Sequence, residues 1–435
     1  MSDAAYTNQH DDEPLPAAGY RTYEVFQRER VGETTNLVSP RELVDDEMLT
    51  DPYRALGVLR ENYPCYRDWK NNRFWLTRYD DVTSVFVDDA NFETRPKRSR
   101  IVGSSADRGR DLWSHVAVLD AHATRIDDAL DIAIERCLAD LTPACDLATE
   151  FAARLPLELW GAVLDLDAEQ LTRFAALTWR LQRGLGWDPV AQVDATAAWE
   201  EMVDLVTPLF ERRRHEPGDD LISAIARLDL GERPPTPTDV VATVVEADHE
   251  TLHGGLANLW CLLLTHREQL DRVRADPRLM KFAWLEALRH SPPVQSAERY
   301  ARREVERFGR LLPDGALVHL SAAAANRDPR AFSDPDDFVV GRRDLCQREP
   351  RGQYRADGLP SGIAFGMGKP SIHPAVPKER PRSIYAITRD VAVAASTRLL
   401  ERWPVLDLAD GAEPTMRSLR LGEMYTCWRL PVRLR

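Results

Sequence analysis

The chain of 435 residues is acidic, with a formal net charge of −13 and an apolar fraction of 43% that suits a globular protein with ample core. So strong an excess of acid excludes a nucleic-acid backbone as partner, because phosphate binding needs a basic surface. No run of about 18 apolar residues occurs and the first residues carry neither a basic flank nor an apolar stretch, so no membrane partner is expected and the protein reads as cytoplasmic.

Residues 1–20 are acidic and contain proline, the composition of a disordered tail, and residues 21–435 read as a single domain. Asp51-Pro52-Tyr53 opens the first helix with a capping carboxylate and a proline where no amide is needed. Arg73-Phe74-Trp75-Leu76 has strand composition, and Tyr79-Asp80-Asp81-Val82 opens another helix. From Asn91 to His115 the chain is polar and carries the basic run Arg95-Pro-Lys97-Arg98-Ser-Arg100. Apolar spacing between Glu150 and Glu211 predicts three amphipathic helices. Pro234-Pro-Thr-Pro237-Thr238-Asp239 then caps a long central helix that runs to about His266. Val305 to Leu320 is sheet-like, with Asp314-Gly315 as a turn. Pro374, Pro377 and Pro381 forbid a helix, so the last long one starts near Ser383. The six cysteines show no Cys-x-x-Cys spacing, which suits reduced, buried thiols.

Two constellations on the central helix carry chemistry. Glu246, His249, Glu250 and His253 stand at i, i+3, i+4 and i+7, one stripe on a straight helix and a candidate divalent-metal site that includes a His-Glu-x-x-His pattern. Thr251 with Asp248 or Glu250 pairs an alcohol with an acid, a candidate set for general acid or base catalysis. The plainer reading of Thr251 is a hydroxyl bonded back to its own helix. Near the C-terminal third, Phe365-Gly366-Met-Gly368 lets the backbone pass close to something flat or bulky.

Taken with Glu286-Ala-Leu-Arg289, Asn326-Arg327-Asp328-Pro329 and Phe332-Ser-Asp-Pro335-Asp-Asp-Phe338, the order and spacing of these motifs resemble a soluble bacterial cytochrome P-450 from about Asp51 onward. The resemblance implies a mostly α fold with small β-sheets, the cytochrome P-450-like fold. It implies that Ala247 and Thr251 face the pocket and that Arg299 holds a haem propionate. It also implies a folding ion network of Glu286, Arg289 and Arg327. His249-Glu250-Thr251 is commonplace in the family without a second metal, which leaves His253 as the unusual member of the stripe.

The resemblance breaks at the haem loop. The family continues Phe-Gly-x-Gly-x-x-x-Cys-x-Gly, and its cysteine thiolate holds the iron; here Ile372 stands at the cysteine position and Pro374 at the next glycine. An insertion of about ten residues follows, which moves the start of the next helix away from the loop. Upstream, where the family writes His-Thr-Arg-x-Arg against the propionates, this chain has Ala123-Thr124-Arg125-Ile126-Asp127; a register one residue away gives the role to His122 or Arg125. Phe365, Gly366, Gly368 and Ile372 therefore read as a degenerate haem loop.

These breaks set the expectation of little or no haem, with a divalent metal as the alternative cofactor. The leading function is a haem-independent P-450-like enzyme of bacterial specialised metabolism, acting on a hydrophobic small molecule by acid-base chemistry at Asp248, Glu250 and Thr251. A non-catalytic role as the partner that activates a glycosyltransferase stands beside it. The third reading is a haem monooxygenase with a ligand other than cysteine, for which His373 is the adjacent imidazole.

Overall fold

The computed structural model describes residues 49–435 except 69–72, 87, 104–108, 186–188, 232, 248, 346–383 and 419–423. The expected tail at 1–20 and the haem loop with Phe365, Gly366, Gly368, Ile372 and His373 lie outside the described residues.

Helices dominate. Those that position the site are α1 (Tyr53–Asn62), α2 (Tyr79–Phe86), α3 (Val116–Ala139), α4 (Arg154–Val163), α5 (Ala168–Gly184) and α6 (Pro189–His215). They are followed by α7 (Pro237–Glu246), α8 (His249–Thr265), α9 (Met280–His290) and α10 (Ile384–Arg402). The three helices expected between Glu150 and Glu211 are α4 to α6. Asp167 starts α5 with a reciprocal cap, accepting from the Gln170 amide at 2.9 Å while the Gln170 side chain accepts from the Asp167 amide at 3.0 Å. The last helix is described from Ile384, and the prolines expected to hold back its start lie outside the described residues.

Five strands form one sheet: β1 (Cys65–Asp68), β2 (Arg73–Leu76), β3 (Phe92–Glu93), β4 (Ser296–Ala301) and β5 (Leu317–Ser321), in the order β1-β2-β5-β4-β3. The pairing of β2 with β5 is parallel and the others are antiparallel. A hairpin near the C-terminus pairs Thr415–Ser418 with β6 (Tyr425–Arg429). Asn258, fully buried on α8, ties three elements together. Its Nδ2 donates to the Ser291 carbonyl at 2.8 Å and the Tyr425 carbonyl at 2.9 Å, and its Oδ1 accepts from the Cys427 amide at 2.9 Å. Asn258→Ala strands these buried backbone groups, with an expected loss of roughly 2–4 kcal/mol in urea unfolding. A loss under about 1 kcal/mol would show that the three elements hold without it.

The central helix is two helices. Glu246 ends α7, Ala247 turns to extended backbone with ψ 152, and α8 begins at His249. No proline or glycine marks this break, so helix propensity could not reveal it. A tertiary contact accompanies it: the Glu246 carboxylate accepts from the amides of Lys97 at 2.9 Å and Arg98 at 3.0 Å. The start of α7 is pinned to the same crossing segment. Asp239 accepts from the Arg110 amide at 2.8 Å and from the Thr236 amide at 2.8 Å. Gly109, with φ of +86, passes so close that a Cβ would lie 2.4 Å from the Thr238 carbonyl oxygen, a place only glycine fits.

The expected ion network needs one change of membership. Glu286 and Arg289 are both fully buried and joined through two contacts of 2.8 Å, with Arg289 also donating to the carbonyls of Asn326, Pro335 and Asp337. Arg327 is not the third partner. It donates to the His290 carbonyl at 2.8 Å, pairs with Asp336 at 3.1 Å and lies over the Tyr53 ring. Arg342 approaches Glu286 instead, at 3.4 Å, where the Val339 amide also donates at 3.0 Å.

Candidate functional site

Two cavities flank the break between α7 and α8. The first, of about 40 Å³, lies among α3, α4, α8 and α10, with His122, Trp160, Ala247, Leu252, Ile387 and Thr388 in its wall. The second, of about 120 Å³, lies between the basic segment at 94–100 and strand β4, and Glu246, Glu298, Arg299, Tyr300 and His319 line it.

His122 is the inward residue of α3. It is buried against Trp113 and Trp160, with ring centroids 5.1 and 5.4 Å away, and its Nδ1 has no hydrogen-bond partner among the described residues. Burial pushes its pKa down to about 4, so the imidazole is neutral at pH 7. Arg125 turns away to the Ala162 carbonyl at 3.0 Å, and Asp127 is exposed. The helix thus takes the alternative register, with His122 at the cavity wall. Arg299, on β4, is buried with its guanidinium 4.9 Å from the Phe86 ring centroid and Nη1 donating to the Glu298 carbonyl at 2.8 Å.

The four residues of the metal stripe do not share one helix face, because the break at Ala247 removes the straight helix on which that spacing depends. Glu246 is held by Lys97 and Arg98. The buried His253 ring lies 5.3 Å from Trp179 and 5.9 Å from Trp428. No group of three or more metal-ligating side chains occurs among the described residues. The side chains of His249 and Glu250, and all of Asp248, lie outside the described residues. Thr251 is fully buried in the first turn of α8.

Sequence reading missed a polar network on the wall of the second cavity. Ser296 and Glu298 share one face of β4 by the period of a strand, and His319 on β5 stands directly across from Glu298. The Ser296 hydroxyl lies 3.2 Å from His319 Nδ1, and His319 Nε2 lies 3.2 Å from the Glu298 carboxylate. Arg73 Nη1 donates to Nε2 at 3.1 Å, so the neutral ring carries its proton on Nδ1 and donates it to the Ser296 hydroxyl. Such connectivity is that of a hydrolytic triad, but the electrostatics oppose that use. Burial first, then the Arg73 guanidinium 3.1 Å from Nε2, depress the His319 pKa, so the imidazolium that a general base must become is disfavoured. The network holds Arg100, which pairs with Glu298.

Burial alone would raise the Glu298 carboxyl; the neighbouring His319 ring and the charge of Arg100 overcome it and bring the pKa from 4.5 to about 2. A carboxylate so depressed stabilises the fold above its unfolded value, and that contribution is lost as pH falls from about 4.5 towards 2. Glu298→Gln is therefore expected to flatten the fall of unfolding free energy across that window. An unchanged slope would remove Glu298 from the account.

A helical body with one small mixed sheet, a central helix interrupted beside two cavities and a buried Glu-x-x-Arg pair define the cytochrome P-450 fold. The comparisons agree with that class. Residues 271–368 match the family model described as Cytochrome P450. The chain is 31% identical over 438 residues to Cytochrome P450 107B1 of Saccharopolyspora erythraea, covering 92% of this chain and 99% of that one. It is 28% identical to 6-deoxyerythronolide B hydroxylase of the same organism, covering 90% and 87% of the two chains. A more local match, 31% identical, spans 61% of this chain and 62% of the length of Putative cytochrome P450 133B2 of Xylella fastidiosa. Among solved structures, CalO2 superimposes with a TM-score of 0.71 at 24% identity over 92% of this chain and 99% of that one. The chain belongs to the cytochrome P-450 family, among relatives from bacterial secondary metabolism. No helix among the described residues is long and apolar enough to cross a membrane.

Membership of a haem-binding family along nearly the whole chain overturns the expectation of little or no haem. Two described residues bring buried polar groups to the cavities beside the break. His122 brings a buried ring nitrogen with no partner to the cavity beside α8 and α10, and Arg299 brings a buried cation to the cavity on the other side of the break.

Proposed function

We propose that this chain is a haem-binding monooxygenase of bacterial specialised metabolism that acts on a hydrophobic small molecule and holds its iron through a side chain other than cysteine. Ile372 at the family's thiolate position carries the ligand part of this reading, and the neighbouring His373 offers the imidazole. The orphaned His122 Nδ1 carries the haem part. A buried polar atom without a partner costs about 1–3 kcal/mol, and a haem carboxylate is the group that would satisfy it. Bound haem would supply the activation of dioxygen. In this reading His122 and Arg299 fix the cofactor's carboxylates, and the apolar side chains Leu252 and Ile387 exclude water from the cavity beside it. Thr251, with Asp248 or Glu250, passes protons into the dry site.

A carboxylate beside His122 favours the imidazolium, so cofactor binding is expected to raise that pKa from about 4. Haem titration of the purified chain, followed by absorbance, tests the proposal. Saturable binding is expected, and a haem that never saturates the protein would overturn it.

A further inference from the structure

Another cavity lies away from the site described above. It holds about 270 Å³ between the helix Arg267–Ala275, the start of α9 and the last turns of α10, close to the low end of the roughly 300–1,000 Å³ of small-molecule pockets. Thr388 of α10 borders the cavity beside His122 and Thr397 borders this one, about 14 Å further along the helix axis. The two cavities therefore lie at opposite ends of one helix. Asp276 and Pro277 separate the helix Arg267–Ala275 from α9, and Thr397, Leu400 and Glu401, at i, i+3 and i+4, present one face of α10 to the gap. The buried Val273 and Met280, with Pro277 and Leu400, make the wall apolar.

Three polar side chains reach that wall, and they set what it can hold. Thr397 offers no donor, since its hydroxyl donates to the Val393 carbonyl at 2.8 Å. Glu401 is 63% exposed and lies 3.9 Å from Arg398, so its carboxylate stands at the mouth. Arg274 is fixed from two sides: Nη1 donates to Asp271 at 3.2 Å and Nη2 to the Leu406 carbonyl at 3.1 Å. Those bonds use two of its five N–H groups, and its Nε has no hydrogen-bond partner among the described residues. The cavity thus has a fixed guanidinium with donors to spare. The charge of Arg274 is already met by Asp271, and Arg267, the other cation beside Asp271, also pairs with Asp407. An anionic ligand would face Asp271 and Glu401 for the one guanidinium that lines the cavity. A neutral acceptor uses the spare donor without that repulsion.

We propose that this cavity binds a small neutral molecule with an apolar body and one carbonyl, the carbonyl accepting from Arg274 and the body lying against Val273, Met280 and Leu400. The site stands independently of the haem reading. Photolabelling of the full chain with benzophenone tests it: the neutral apolar ketone bonds to a nearby C–H on irradiation, and mass spectrometry of the digested chain locates the adduct. Adducts are expected on the peptides that carry Met280 or Leu400. Competition in the wild type defines the chemistry. Benzylacetone is expected to suppress that labelling about tenfold more effectively than butylbenzene, which lacks the carbonyl, or hydrocinnamate, which carries a carboxylate in its place. Arg274→Leu is expected to bring benzylacetone and butylbenzene within about twofold of each other. Leu400→Trp, which fills the cavity from a half-buried position, is expected to abolish the adduct. No adduct at these residues, equal suppression by hydrocinnamate, or an adduct that persists in a folded Leu400→Trp variant would overturn the proposal.

Discussion

Glu286→Ala is expected to remove about 3–5 kcal/mol of folding stability, enough to leave a domain of ordinary stability largely unfolded. The cost comes from what is left behind. Arg289, with no exposure at all, would keep its charge in the core and lose the carboxylate that meets it at 2.8 Å twice. The Val339 amide and Arg342 would lose the same partner. Urea unfolding of the purified variant measures the effect, and a loss below about 1 kcal/mol would show that the pair is dispensable. Arg327→Ala serves as the contrast, because Arg327 pairs with the exposed Asp336 and takes no part in the Glu286 cluster. Its effect is expected to be smaller.

The second large effect concerns the cofactor. His122→Phe combined with Arg299→Gln is expected to weaken haem retention by tenfold or more, since each charge-assisted hydrogen bond contributes about 1.5–3 kcal/mol. Both replacements keep much of the buried volume, so the fold is expected to persist. Transfer of haem to an excess of an apo-globin scavenger gives the rate. Retention equal to the wild type would assign the carboxylates to other residues and leave the unpartnered His122 Nδ1 unexplained.

Much of the fold was legible because its signals are local. Pro237 at the start of α7 and the Asp314-Gly315 turn, where Gly315 has φ of +74, each act through backbone geometry that a residue type dictates. The Glu286 and Arg289 pair was legible as a helical spacing. What failed depended on distant contacts. The break at Ala247 lies in a stretch of acceptable helix formers, and its companion contact is to Lys97 and Arg98, which are far away in sequence. Substitution of Arg342 for Arg327 beside Glu286 was equally invisible, because both are arginines a short way downstream. For the candidate site, Arg299 was legible through the family motif, and His122 only as an alternative register that burial decides. The network of Ser296, Glu298 and His319 gave no sequence signal beyond alternation on a strand, since the pairing of β4 with β5 brings it together. The absence of a cysteine at 372 was plain, but the step from that absence to a haem-free protein did not follow: haem has contacts beyond its axial ligand.

The central claim is a haem held without a cysteine thiolate, and the absorption spectrum of the reduced carbon monoxide complex tests it most directly. The expected result is a haem spectrum without the red-shifted Soret band of thiolate ligation, and Ile372→Cys is expected not to create that band, because Pro374, Pro377 and Pro381 forbid a helix directly behind position 372. A thiolate-type band from the wild-type chain would contradict the account.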